Sequence, residues 1–143
     1  MKKILAALLV VILIAVIVIV VNLKNKEQQK LELEAYNLPY EEYNKDNLNG
    51  LDITSIINRV INHNEKLGIE KDEKGKYIDD GDSSIRIFVV IGENTYNMER
   101  INELGMESFI EYFGPITFRC EEIKYHEETG KVSEITFKAN GTF

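Results

Sequence analysis

The chain has 143 residues and a formal net charge of −7, from 24 acidic against 17 basic side chains. An acidic chain without a basic stripe excludes nucleic acid as a partner, because binding phosphates takes clustered Lys and Arg. The single cysteine, Cys120, excludes an intrachain disulfide, so the fold must stand on its apolar core.

Met1-Lys2-Lys3 opens onto Ile4–Val21, a run of 18 residues drawn only from Ile, Leu, Val and Ala. At 1.5 Å per residue a helix of that run covers about 27 Å, close to a hydrocarbon core of about 30 Å. It has no polar side to turn toward water, and a helix satisfies its own backbone inside lipid. A cleaved signal peptide has a shorter apolar stretch ending in small residues of an A-x-A-like pattern. Here the run ends Val20-Val21-Asn22-Leu23-Lys24, so residues 1–23 are expected to be a retained transmembrane anchor with membrane lipid as its partner. Lys2 and Lys3 before it and Lys24, Lys26 and Lys30 after it nearly balance under the positive-inside rule. A short basic start ahead of a signal-like run favours a single-pass protein of the cell membrane with its bulk outside the cytoplasm.

Residues 24–50 read as a helical stalk and linker. Lys24–Tyr36 holds strong helix formers without Gly or Pro. Pro39 is expected to end the stalk, since proline disfavours a helical residue before it. Tyr40–Gly50 is polar and closes on the turn signal Asn49-Gly50. Residues 51–143 form the soluble domain. Ile53, Ile56, Ile57, Val60 and Ile61 mark one face of its main helix, with Asp52 as the expected cap and Gly68 as the end. Ile85, Ile87, Val89 and Ile91 alternate as a strand, and Phe88 and Val90 on its other face are expected to lie under a second helix pair. Asn97–Leu104 and Met106–Phe113 are short helices closed by Gly105 and Gly114. Ile116–Glu121 and the strand carrying Ile135 and Phe137 flank a turn at Glu127-Glu128-Thr129-Gly130. The fold class is therefore α+β: an N-terminal transmembrane helix with a stalk, then a small antiparallel-rich sheet packed against one main helix and two short ones.

The chemistry-bearing residues form no recognisable constellation. Asp79, Asp80 and Asp82 suit calcium by type, but an EF-hand counted from Asp80 would need Gly and Glu where Ile85 and Ile91 stand. They read as a solvated turn. His63, Cys120 and His126 are the soft ligands, too loosely spaced for zinc, and Cys120 falls in phase with Ile116 and Phe118 as a small core residue. Glu121-Glu122 and Glu127-Glu128 are adjacent carboxylates expected to be wet. No nucleophile elbow, P-loop or dinucleotide fingerprint occurs. Tyr36, Tyr40 and Tyr43 near the stalk read as packing residues. No catalytic, cofactor-binding or metal residue is assigned.

Gly50-Leu51-Asp52-Ile53-Thr54-Ser55-Ile56-Ile57-Asn58-Arg59-Val60-Ile61, together with the anchor and the β-rich C-terminal half, resembles a turn-plus-helix segment of small, uncharacterised single-pass membrane proteins of low-GC Gram-positive bacteria. That resemblance implies no particular activity. The layout also looks like type IV pilin-like proteins. Those carry a basic leader ending in Gly and a Glu early in the apolar run, whereas here no Gly precedes Ile4 and the first acidic residue is Glu27. The expectation is a membrane-anchored, extracytoplasmic, non-enzymatic protein-interaction or accessory module with a protein partner and no cofactor. A pilin-like structural subunit and a small envelope enzyme are the alternatives.

Overall fold

The computed structural model describes residues 1–141. The chain divides into two compact units, residues 1–36 and the residues from Asn37 onward. The first unit is helical. It belongs to α1 (Lys2–Glu41), whose final residues, from Asn37, are part of the second unit.

Pro39 lies inside α1 rather than after it. The proline removes one donor, but its neighbours hold the turn. The Leu38 carbonyl still accepts from Glu42 N–H at 3.1 Å, and the Pro39 carbonyl accepts from Arg59 at 2.8 Å. Asn37 and Tyr40 are buried on either side of it. Tertiary packing here outweighs the local preference of the residue before proline. The expected linker over 40–50 is also packed. Leu48 is buried and exchanges backbone hydrogen bonds with Phe118 at 2.7 and 2.8 Å.

Helix α2 (Gly50–Leu67) starts one turn earlier than Asp52 would place it. Asn49 is the cap: its side-chain oxygen accepts from Leu51 and Asp52 N–H, while the Asp52 carboxylate accepts from Asn49 N–H at 2.8 Å. Asp52 is therefore the reciprocal partner of a capping box. Gly68 ends the helix in the left-handed region at φ 67°, as its position led one to expect. Ile53, Ile56, Ile57 and Val60 are fully buried, each stabilising the fold by about 1.5–3 kcal/mol.

Four strands follow: β1 (Arg86–Ile91), β2 (Asn94–Asn97), β3 (Phe118–Tyr125) and β4 (Val132–Ala139). Their order is β2-β1-β4-β3, with β1 and β4 parallel and the other pairs antiparallel. The sheet is antiparallel-rich and the fold is α+β. Strand β2 is an addition to the sequence reading. It returns from β1 through Gly92-Glu93, with Gly92 at φ 60°. Between β2 and β3 come α3 (Met98–Leu104), capped by Asn97, and α4 (Met106–Phe113).

One face of the sheet is the core. Ile87, Val89, Ile135, Phe137 and Phe118 lie on it, all essentially inaccessible. Met98 and Ile101 of α3 are buried there too, and Phe109 of α4 stacks on Phe118 with ring centroids 6.2 Å apart. The short helices thus share the core face with α2 and do not cover Phe88 and Val90. Those two are half-buried on the opposite face, opposite Thr136 and Lys138 of β4. That face is laced by ion pairs across the strands: Arg86 to Glu134 at 3.2 Å, and Lys124 to Glu134 at 2.7 Å.

Candidate functional site

Two places carry functional potential, one in each unit. The first is the apolar stretch of α1. Among the described residues α1 is the one helix long and apolar enough to cross a membrane, and none of its most apolar 18-residue window is buried. Exposed apolar surface on every side of a helix has no favourable contact in water.

The second place lies at one end of the sheet, where the Asp79–Ser84 loop, the end of α2 and the β3–β4 loop meet. Asp80 organises the loop. Its Oδ1 accepts from the backbone N–H groups of Asp82, Ser83 and Ser84 at 2.8–2.9 Å, and its Oδ2 accepts from Ser83 Oγ at 3.0 Å. Burial pushes the Asp80 carboxyl up. The amide donors of Ser84, Ser83 and Asp82, helped by the Ser84 side chain, outweigh it and hold the carboxyl well below the usual carboxylate range. The expected solvated turn is therefore a self-capped loop. Asp79 accepts from Gly81 N–H at 2.9 Å and pairs with Arg86 at 3.3 Å.

Both histidines close on this loop. His63, near the end of α2, bonds the Ser83 carbonyl at 2.9 Å. His126, at the end of β3, bonds the Ser84 carbonyl at 2.8 Å with its side chain almost wholly buried. A carbonyl only accepts, so the bonded Nε2 of His126 carries the proton. Its Nδ1 then faces Asp79 Oδ1 at 3.7 Å. Asn64 completes the junction. Its buried amide donates to the Ile85 carbonyl at 2.8 Å and accepts from Ile85 N–H at 3.0 Å, acting as an extra strand residue beside β1. On the other side Asn37, from the last turn of α1, donates to the Gly130 carbonyl and accepts from Val132 N–H, both at 2.9 Å.

The structure brings together Asp79, Asp80 and His126, a combination that sequence spacing does not reveal. Asp82, Glu127 and Glu128 line the same open hollow. Asp82 is paired with Lys131, and Thr129 donates to its carbonyl at 2.9 Å. Cys120 lies on the strand opposite Phe137, half-buried, its thiol pushed up by burial. Glu121 and Glu122 are exposed and paired with Lys138 and Lys124. Tyr40 packs edge-on against His63 at 5.8 Å and Tyr43 lies beneath Arg59, so both are packing residues of the domain. Tyr125, by contrast, donates to Glu41 at 2.8 Å, and burial with this carboxylate pushes its hydroxyl up to about 12. Neither the family models, the curated proteins nor the solved structures compared with this chain include a match to it.

Proposed function

We propose that this protein is a single-pass membrane-anchored module whose soluble unit lies outside the cytoplasm and acts by binding another protein, without chemistry of its own. The observation that carries the reading is the apolar stretch of α1, exposed on every side and long enough to span a bilayer. Its single length suits one crossing. The soluble unit is a well-capped domain with its own core, the kind of body a tether can hold at a surface. The net charge of the chain beyond Lys2 and Lys3 is strongly negative, which keeps such a domain off anionic lipid and leaves it free for a partner.

The test combines extraction with topology. Membranes are washed with alkaline carbonate, which strips peripheral proteins. The protein stays in the pellet if α1 crosses the bilayer and enters the wash if it does not. In a Cys120→Ser background a single cysteine replaces Lys74, an exposed residue of a loop that touches none of the Asp80 contacts. A membrane-impermeant maleimide then labels intact cells if the soluble unit is outside. Labelling only after lysis overturns the extracytoplasmic placement. Crosslinking in intact cells followed by mass spectrometry of the adducts reads the partner, and recovery of the monomer alone overturns the interaction role.

A further inference from the structure

We propose that Asp79, Asp80 and His126 form a site for one divalent transition-metal ion of the zinc class, held by one imidazole nitrogen and two carboxylates. The inference stands apart from the membrane reading and needs none of it. One ligand atom from each residue lies within 4.8 Å of the other two. His126 is the observation that sets this group apart from a merely acidic surface. Its side chain is 3% exposed and its Nε2–H is committed to the Ser84 carbonyl, so Nδ1 presents a bare lone pair. The atom in front of it is another acceptor, Asp79 Oδ1 at 3.7 Å.

Acceptors that face one another repel, and a cation between them relieves the repulsion. The cation is either a proton on Nδ1 or a metal ion. At 3.7 Å a proton on Nδ1 is beyond hydrogen-bond reach of Asp79 and does nothing for Asp80. A metal ion joins all three. Asp79 Oδ1, the oxygen beside Nδ1, accepts from Gly81 N–H at 2.9 Å and from Ser84 Oγ at 3.4 Å, and Asp80 Oδ2 accepts from Ser83 Oγ at 3.0 Å; a carboxylate has further lone pairs for a metal ion. The Nε2–H to carbonyl bond is the outer-shell contact that fixes the orientation of a metal-binding histidine. One nitrogen with two oxygens suits zinc and its neighbours better than calcium or magnesium, and water fills the remaining positions. Metal–ligand bonds of about 2.0–2.2 Å require the exposed Asp79 and Asp80 side chains to close in slightly. The acidic residues around the open side raise the local cation concentration.

The experiment uses the full chain in mild detergent near pH 7.5. Zn²⁺ is titrated in while nitrogen-15 NMR follows the ring nitrogens of His63 and His126. The expected result is a shift of His126 Nδ1 that saturates at one ion per chain and leaves His63 in place. Asp79→Asn keeps an oxygen for Gly81 N–H, and is expected to weaken Zn²⁺ binding about tenfold or more. Three results overturn the proposal: a proton that stays on His126 Nδ1 in the presence of Zn²⁺, equal shifts at both histidines, or unchanged affinity in Asp79→Asn. If that variant does not fold, the wild-type spectrum decides alone.

Discussion

Asn64 and Asp80 each do with one side chain what a stretch of backbone does elsewhere. Asn64 pairs both polar groups of Ile85 in a buried setting. Asn64→Ala leaves that N–H and C=O without partners, and a loss of about 2–3 kcal/mol is expected in chemical denaturation. Asp80 acts through charge. Its carboxyl is held below its ordinary range in the folded chain, so its contribution is present above the unfolded value of about 3.9 and fades as pH falls through the folded value. The melting temperature of Asp80→Asn is therefore expected to lie below the wild type by a constant gap at pH 5–7, and the gap is expected to close on acidification. Because Asp80 sits at the surface, the gap itself should be modest. Little of this was legible in the sequence. A run of Asp and Ser reads as a wet turn because nothing in it says that its carboxylate folds back on its own amides. His126 and Ser84 meet across 42 positions, a distance that spacing rules do not bridge.

At the level of elements, period carried most of the information. The 3.6-residue pattern of α2 and the alternation of β1 named most of their buried apolar residues, Ile61 being only half-buried, because each element has one face on a single core. Where an element buries little, the pattern fails. Strand β2 has four polar residues and was invisible except for Gly92, the residue a tight hairpin favours at its first turn position. The cap of α2 was misplaced by three residues because Asn49 and Asp52 are both good caps, and the capping box uses both. The second face of the sheet was misjudged for a related reason. Phe88 and Val90 look apolar in sequence, but the short helices pack on the core face and leave these two half-buried on the face that carries the cross-strand ion pairs. The meeting of α2 with the end of α4 gives a prediction of its own. A Cβ at Gly50 would lie 3.1 Å from Gly114 Cα, against backbone that cannot rotate away. Gly50→Ala is expected to cost about 1–3 kcal/mol in spite of alanine's better helix propensity, measurable as a lower urea midpoint.

For the whole molecule, the apolar run was the plainest signal in the sequence, whereas the junction between helix and domain was not. Pro39 looked like a boundary, yet the second compact unit begins at Asn37. The reason is that the last turn of α1 is gripped from two sides: Asn37 holds the β3–β4 loop, and Arg59 of α2 reaches Pro39 and Glu42. A fragment beginning at Asn37 is expected to unfold in one cooperative transition. A fragment beginning at Asn44 loses these contacts and the buried Tyr40, and is expected to melt several degrees lower by circular dichroism. Equal melting of the two fragments would make the turn a passive spacer.

The parallel pairing of β1 with β4 also has a consequence in time. Strand β4 lies between β1 and β3, yet it is synthesised after every other strand of the sheet. Until residues 132–139 leave the ribosome, β1 and β3 have no shared neighbour, and Ile135 and Phe137 are missing from the core. Contacts between segments so distant are slow to form, since closing the intervening chain costs entropy before pairing returns it. The domain therefore stays open while it is being made.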